Sequence, residues 1–174
     1  PRGGAPERII GVGENASVVA VSPQGDRLAY TRSSIDTNIW RYPVQGSEAP
    51  VRLISSTRQE AGPEYSPDGR QIVYSSRSSG TSEIWICDER AANANQLTHF
   101  DGPATGSPSW SPDGRWIAFD SRPEGNPDIY LISPQGGSPR RLTSDPSAEV
   151  VPTFSRDGKW VYFASNRTGS YQLW

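Results

Sequence analysis

The 174-residue sequence predicts an all-β fold of short strands, and three observations carry that prediction. Turn-forming and aromatic residues crowd the chain: 17 Gly and 16 Pro stand beside six Trp, seven Tyr and four Phe, with no Met. Gly and Pro punctuate turns, and aromatic side chains favour the pleated, half-buried surface of a sheet. No useful length of sequence repeats apolar residues at the 3.6 period, and the longest apolar runs, 18–21 and 116–119, fall far short of a membrane span. The third observation is a repeat. Ser22-Pro23-Gln24-Gly25, Ser66-Pro67-Asp68-Gly69, Ser111-Pro112-Asp113-Gly114 and Ser155-Arg156-Asp157-Gly158 follow one another at steps of 44 or 45 residues. Ile39-Trp40, Ile84-Trp85, Ile129-Tyr130 and Leu173-Trp174 keep the same step, as do Arg52-Leu53-Ile54, Gln96-Leu97-Thr98 and Arg141-Leu142-Thr143.

Each unit reads as four strands. Strand a ends just before the turn, at Val21, Tyr65, Trp110 or Phe154. The turn has Pro at its first central position and Gly where the backbone needs a positive φ. Strand b is predicted over 27–31, 70–76, 115–121 and 159–165, and strand c over segments such as 83–87 and 128–132. Gln45-Gly46 or Gln135-Gly136-Gly137 then turns the chain into strand d, the Arg-Leu-Ile/Thr segment. Strand b carries apolar residues on both faces (Trp116, Ile117, Ala118, Phe119), as a sheet covered on both sides requires. A small four-stranded sheet repeating at this period, sandwiched by its neighbours, is a β-propeller blade. The sequence thus predicts one domain over 1–174 with units near 18–62, 63–107, 108–151 and 152–174, the last joined by a strand at 6–11.

That N-terminal strand follows from the repeat. Glu7-Arg8-Ile9-Ile10 matches Val51-Arg52-Leu53-Ile54 at the same step, whereas the last unit stops at Trp174 without its own strand d. The orphan strand is expected to complete the last blade within the chain, giving four blades, or in a second copy, giving an eight-bladed homodimer. A segment cut from a larger propeller is the remaining option. Closure removes the exposed sheet edges that promote aggregation. The start at Pro1, with neither initiator Met nor signal-peptide pattern, reads as a processed piece of something longer.

The charges remove several functions. Seventeen basic and 19 acidic residues are spread evenly for a net charge of −2, so no basic stripe exists to hold nucleic acid or an anionic membrane. One Cys (Cys87) makes no internal disulfide, and one His (His99) makes no multi-histidine metal site. Gly11-Val12-Gly13 has Ala16 where a nucleotide fingerprint needs its third Gly. No Gly-x-Ser-x-Gly elbow occurs. No catalytic residue, metal or cofactor is predicted, and the chain is expected not to be an enzyme. Asp68, Asp113 and Asp157 recur inside turns, where such a side chain accepts backbone N–H groups, and they stand a blade apart, too far for paired-carboxylate chemistry.

The units resemble the TolB-type WD40-like (PD40) repeat. Trp110-Ser111-Pro112-Asp113-Gly114-Arg115, Asp128-Ile129-Tyr130, Gly136-Gly137 and Arg141-Leu142-Thr143 carry the resemblance, which extends over 6–174. The first unit departs from it at Gln24 and the last at Arg156. Proteins of this kind look like periplasmic interaction scaffolds, propeller halves of oligopeptidases, or sensor domains of bacterial regulators. The resemblance implies a non-catalytic scaffold in a larger bacterial envelope or sensor protein, located in the periplasm or otherwise outside the cytoplasm. The alternative is the propeller gate of a peptidase or glycan-active hydrolase whose catalytic domain is not in this chain.

Blade topology gathers the d–a and b–c connections on one face, usually called the top. Asn15, Glu60, Thr105 and Glu149 are expected there from the d–a side, and Arg32, Arg77, Arg122 and Arg167 from the b–c loops. One polar group per blade converging on an axis would bind a protein or a small ligand. The competing reading makes them solvated loop residues or salt-bridge partners between blades.

Overall fold

The structure, a computed structural model, describes residues 16–24, 26–32, 36–102 and 104–174. The chain divides into two units, 1–35 and 36–174. In the first, β1 (Ala16–Val21) pairs antiparallel with β2 (Leu28–Arg32). The predicted closing strand at 6–11 lies outside the described residues.

The second unit stacks four antiparallel sheets in chain order. β3 (Ile39–Arg41) pairs with β4 (Val51–Ile54). The next sheet is complete: β5 (Glu60–Tyr65), β6 (Gln71–Ser76), β7 (Glu83–Asp88) and β8 (Asn95–Gln96). So is the third: β9 (Thr105–Trp110), β10 (Ile117–Ser121), β11 (Asp128–Ile132) and β12 (Arg140–Arg141). β13 (Glu149–Phe154), β14 (Val161–Ser165) and β15 (Gln172–Leu173) form the last. Among the described residues there is no helix. Each predicted strand b begins one or two residues late in the structure, because Arg27, Arg70, Arg115, Trp116, Lys159 and Trp160 still belong to the turn.

Strand d is shorter than the Arg-Leu-Thr motif predicts, for a visible reason. The Leu97 amide donates to the Ile84 carbonyl (2.8 Å), but the Ile84 amide donates to the Thr98 hydroxyl (2.9 Å), not to a backbone carbonyl. Leu142 and Thr143 repeat this around Ile129, at 2.7 and 2.9 Å. The Thr side chain stands in for the ladder and releases the backbone toward the next blade. The first copy has Ile54 at that position, and there β4 stays in the ladder, with Ile54 opposite Ile39.

The core lies between sheets. Val73, Ile84, Ile86 and Leu97 of the β5–β8 blade meet Trp110, Ile117, Phe119, Tyr130 and Ile132 of the β9–β12 blade. On the opposite face of β5–β8, Ile72, Tyr74 and Cys87 pack with Ile39. Cys87 is a small buried hydrophobe, and burial pushes its thiol up to about 11, which withholds the thiolate. The inter-blade packing expected of the strand-c aromatics holds for Tyr130, which is buried, and for Trp85, which packs against the second cluster. Trp40 is exposed, and of the strand-b tryptophans expected to pack between blades, Trp160 is 66% exposed.

The Ser-Pro-Asp-Gly turns are built alike. Ser111 Oγ donates to Asp113 Oδ1 (2.6 Å), which also accepts the Arg115 amide (3.1 Å), and Ser111 Oγ accepts the Trp116 amide (2.9 Å). The turns at Asp68 and Asp157 repeat this geometry. In the first turn Gln24 replaces the Asp, and Asp26 takes the Ser22 hydroxyl instead (2.7 Å). The turns also stack: a Cβ on Gly114 (φ 69°) would lie 3.8 Å from Pro67 Cδ of the preceding blade, and one on Gly158 would lie 3.6 Å from Pro112 Cδ. Hydrogen bonds from Ser111 and the Arg115 backbone and side chain hold the Asp113 carboxyl down at about 2, and Asp68 and Asp157 are lowered likewise.

A carboxyl that is more acidic in the folded state stabilises above its ordinary range, near pH 4, and loses that contribution as pH falls through the folded value. Asp113→Asn should therefore lower the melting temperature by a few degrees near neutral pH, with the gap from the parent closing between about pH 4 and pH 2. Thermal melts across that range check it; a gap independent of pH would mean the carboxylate charge is irrelevant to the turn.

Strand a is bulged in each of the last three sheets of the second unit. Gly62, Ser107 and Val151, one period apart, all adopt a left-handed backbone with φ of 60°, 51° and 54°. The register of β5, β9 and β13 skips two residues there, so the bulged residue has no cross-strand partner.

Candidate functional site

The loop face of the second unit carries a cavity of about 400 Å³ between the β5–β8 and β9–β12 blades. Ala61 and Gly62 of β5, with Gln59 just before it, line the cavity from one blade, and Thr105, Gly106 and Ser107 from strand a of the next. Ser75, from the second strand, and Arg77, from the loop that follows it, complete its polar wall, and Asp120 borders it from β10. The Arg77 amide donates to the Gln59 carbonyl (3.0 Å) and the Arg77 carbonyl accepts the Gly80 amide (3.0 Å), so the loop that presents this guanidinium is fixed at its base. Ser82 Oγ donates to the Thr105 carbonyl (2.8 Å) and ties the two blades together beside the cavity.

The sequence-predicted residues divide sharply. Glu60, Thr105 and Glu149 are buried, against the expectation that they stand on a binding rim. Each begins strand a directly opposite the Ser that ends strand b: Glu60 with Ser76, Thr105 with Ser121, Glu149 with Ser165. Glu60 Oε1 accepts the hydroxyls of Ser56 (2.5 Å) and Ser76 (3.3 Å), and its Oε2 accepts the Ser56 amide (3.2 Å). Thr105 Oγ1 shares a hydrogen bond with Ser121 Oγ (2.7 Å). Glu149 accepts from the Arg167 guanidinium, whose Nε also reaches Ser165 Oγ (3.2 Å). Arg167 is therefore an ion-pair partner, with its guanidinium carbon 4.5 Å from the Trp174 ring centroid and 5.5 Å from that of Phe163.

Arg77 and Arg122 are exposed and enter no ion pair among the described residues. The reason is local: the Glu60 carboxylate is taken by Ser56 and Ser76, and Thr105 offers Arg122 no charge. Arg32 ends β2 in the first unit, and Asn15 lies outside the described residues. Of the eight predicted residues, Thr105 and Arg77 line the cavity.

Sequence reasoning missed Ser75, Ser107 and Asp120. The signal was available in the repeat, where Ser75, Asp120 and Ala164 occupy one position and differ in chemistry. It also missed the buried acid that opens strand c. Glu83 Oε2 accepts the Thr98 hydroxyl (2.5 Å) and its Oε1 the Asp101 amide (3.0 Å), which pins the d–a connection. Asp128, one methylene shorter, pairs with Arg141 (2.6 Å); its other oxygen is buried without a partner, and desolvation pushes its carboxyl up. Among the described residues no group of three His, Cys, Asp or Glu side chains is placed to hold a metal.

Two complete blades with one turn design, one strand-d ending and one strand-a bulge leave a specific pattern to match. Residues 63–174 match the family described as the TolB beta propeller domain (PD40). The chain belongs to the TolB β-propeller family. Similar solved structures include TolB from Acinetobacter baumannii, 26% identical with a TM-score of 0.70, where the match covers 91% of this chain and 40% of that one. A TolB protein from Agrobacterium tumefaciens is 25% identical with a TM-score of 0.69, covering 91% and 57%. The fold is also shared with a puromycin-hydrolyzing peptidase of Mycobacterium tuberculosis, at 16% identity and a TM-score of 0.62, covering 91% of this chain and 29% of the peptidase. This chain thus spans little over half of the Agrobacterium TolB protein, and less of the other two. No curated protein sequence matches the chain.

Proposed function

We propose that this TolB-like domain is a non-catalytic binding module that receives a protein segment or small ligand on its loop face, as part of a larger bacterial protein outside the cytoplasm. One observation carries the reading: the polar cavity of about 400 Å³ between two complete blades, lined by Arg77, whose guanidinium enters no ion pair among the described residues. A concave site with a few convergent polar groups is the usual form of a ligand-binding site. Arg77 and Arg122 are the testable residues of this face, because Glu60 and Glu149 are buried and hydrogen-bonded within their blades. The absence of a nucleophile elbow from the sequence supports the non-catalytic role.

The ring is proposed to close across the last sheet. Leu173 is 83% exposed, whereas its counterparts Ile84 and Ile129 are fully buried by the blade that follows each. The strand at 6–11, from this chain or from a second copy, would cover that face, or a further blade would if the segment belongs to a larger propeller.

Titrating the chain with a panel of small acids, amines and short peptides, followed by amide chemical shifts, tests the binding face. Resonances of Gln59, Arg77, Gly106 and Arg122 are expected to move. Shifts confined to the turns at 112–116 and 133–135 would put binding on the opposite face and overturn the proposal. A second reading, the propeller of a peptidase, draws on the likeness to the puromycin-hydrolyzing enzyme; a hydrolase domain in the parent reading frame would favour it.

A further inference from the structure

The left-handed residue of each strand-a bulge precedes a proline: Gly62-Pro63, Ser107-Pro108 and Val151-Pro152. Proline brings no N–H, so the bulge keeps one donor, the amide of the left-handed residue itself. At the junction of the β9–β12 and β13–β15 blades the chain supplies the acceptor. The Val151 amide donates to Asp120 Oδ1 (3.1 Å), on a side chain that is 8% exposed. Side chains alternate along β10, so Asp120 leaves the sheet on the face opposite Ile117 and Phe119, which pack toward the β5–β8 blade. Its carboxylate reaches forward, to β13.

One junction earlier the same bulge recurs without the acid. Ser107 has a φ of 51° against 54° at Val151, and neither residue has a cross-strand partner. The residue at the Asp120 position of the repeat is Ser75. It alternates along β6 with Tyr74 and lies on the side of Val73, which packs against the β9–β12 blade, so Ser75 faces the blade of Ser107. Its hydroxyl donates to the Ala61 carbonyl (3.1 Å) and brings no negative charge. The Ser107 bulge therefore meets the small-walled cavity, lined here by Ala61, Gly62, Ser75 and Gly106, where the Val151 bulge meets a carboxylate. Asp120 borders this cavity too, but its carboxylate lies beyond the sheet and is already engaged.

Arg77 sets the charge of the hollow. It follows Ser75 by two residues, as Arg122 follows Asp120, and it enters no ion pair among the described residues. The buried acids of its own blade are committed elsewhere: Glu60 to Ser56 and Ser76, Glu83 to Thr98 and the Asp101 amide. A guanidinium and a backbone amide on one hollow are the donors that a carboxylate takes.

We propose that this cavity binds a carboxylate, carried by a small organic acid or by the free end of a peptide. The ligand stands to Ser107 as Asp120 stands to Val151, with the Ser107 amide on one oxygen and the Arg77 guanidinium on the other. The proposal rests on the loop-face reading above and names the group recognised there. A carboxylate is favoured over a phosphate because the next junction seats a carboxylate on this bulge, and because one guanidinium matches one charge.

The test uses the intact 174-residue chain and four probes: N-acetylglycine, its neutral amide N-acetylglycinamide, acetate and inorganic phosphate. N-acetylglycine should move the Gly106 and Ser107 amides and bind about tenfold more tightly than N-acetylglycinamide or phosphate. Acetate as tight as N-acetylglycine would support an organic acid as the ligand, and a clear preference for N-acetylglycine would support a peptide end. Arg77→Gln should weaken N-acetylglycine about tenfold. Ser75→Asp gives the Ser107 bulge a carboxylate from the chain itself and should block the probe. Asp120→Ser, the reverse exchange, should let N-acetylglycine move the Val151 amide as well, beside Arg122. If neither exchange variant folds, the probe order and Arg77→Gln decide. N-acetylglycinamide or phosphate binding as tightly as N-acetylglycine, or an unchanged affinity in Arg77→Gln, overturns the carboxylate assignment. If the carboxylates leave Gly106 and Ser107 still while amines or blocked peptides move Gln59 and Arg122, the carboxylate site fails and the loop-face reading stands; if nothing on that face responds to any of them, both fail.

Discussion

Arg167→Ala is expected to lower the unfolding free energy by about 3 kcal/mol, the lower end of what breaking a buried ion pair costs. The Glu149 side chain is fully buried, and that of Arg167 is 27% exposed. Removing the guanidinium strands a carboxylate that already has one buried oxygen without a partner. It also removes the cation held over the Phe163 and Trp174 rings, so part of the loss is packing rather than charge. The partial exposure of Arg167 keeps the figure low, because water can enter and screen the abandoned acid. Glu149→Gln should be milder, about 1 kcal/mol, since an amide oxygen still accepts from Arg167 and the unpaired charge left behind is the one water can reach. Arg77→Ala, its counterpart two blades earlier, should fall within about 0.5 kcal/mol of the parent, as exposed substitutions do. Urea denaturation of the three variants checks the order. An Arg167→Ala cost no larger than that of Arg77→Ala would show the Glu149 pair to be a surface contact.

That contrast also marks where sequence reading succeeds and where it stops. A repeat fixes which residues occupy equivalent positions, so the strands and the Ser-Pro-Asp-Gly turns were legible, including the structural role of Asp68, Asp113 and Asp157. Periodicity does not say which equivalent polar residues face water. Glu60 and Glu149 read as rim residues because acids are rarely buried without a partner, and their partners are scattered. Ser56 precedes Glu60 by four residues, while Arg167 follows Glu149 by eighteen. The cavity was legible only as a difference between copies: a Ser at position 75 where its repeat carries Asp at 120. Looking for what recurs finds the fold. Looking for where the recurrence breaks finds the place where this chain differs from its own scaffold.

Phe119→Ala should cost about 3–5 kcal/mol, the usual range for emptying an aromatic site in a packed core. Phe119 is fully buried on β10, directly across the ladder from Tyr130, with ring centroids 5.7 Å apart and planes 20° from parallel. Phe100 closes the third side, with its ring centroid 6.2 Å away, and aliphatic side chains of β6 and β7 cover the cluster from the neighbouring blade. A void there cannot be filled by collapse of one sheet, because both walls are ladders held in register. Phe119→Leu keeps most of the volume and should cost about 1.5 kcal/mol or less. The decisive comparison is Phe163, the same position one unit later, which is only half-buried. If burial under the Phe100 and Tyr130 rings and the preceding blade is what makes the site costly to empty, Phe163→Ala in this chain should lose clearly less than Phe119→Ala. Equal losses would mean that each sheet's own hydrogen-bonded frame, rather than its neighbours, sets the stability of the blade.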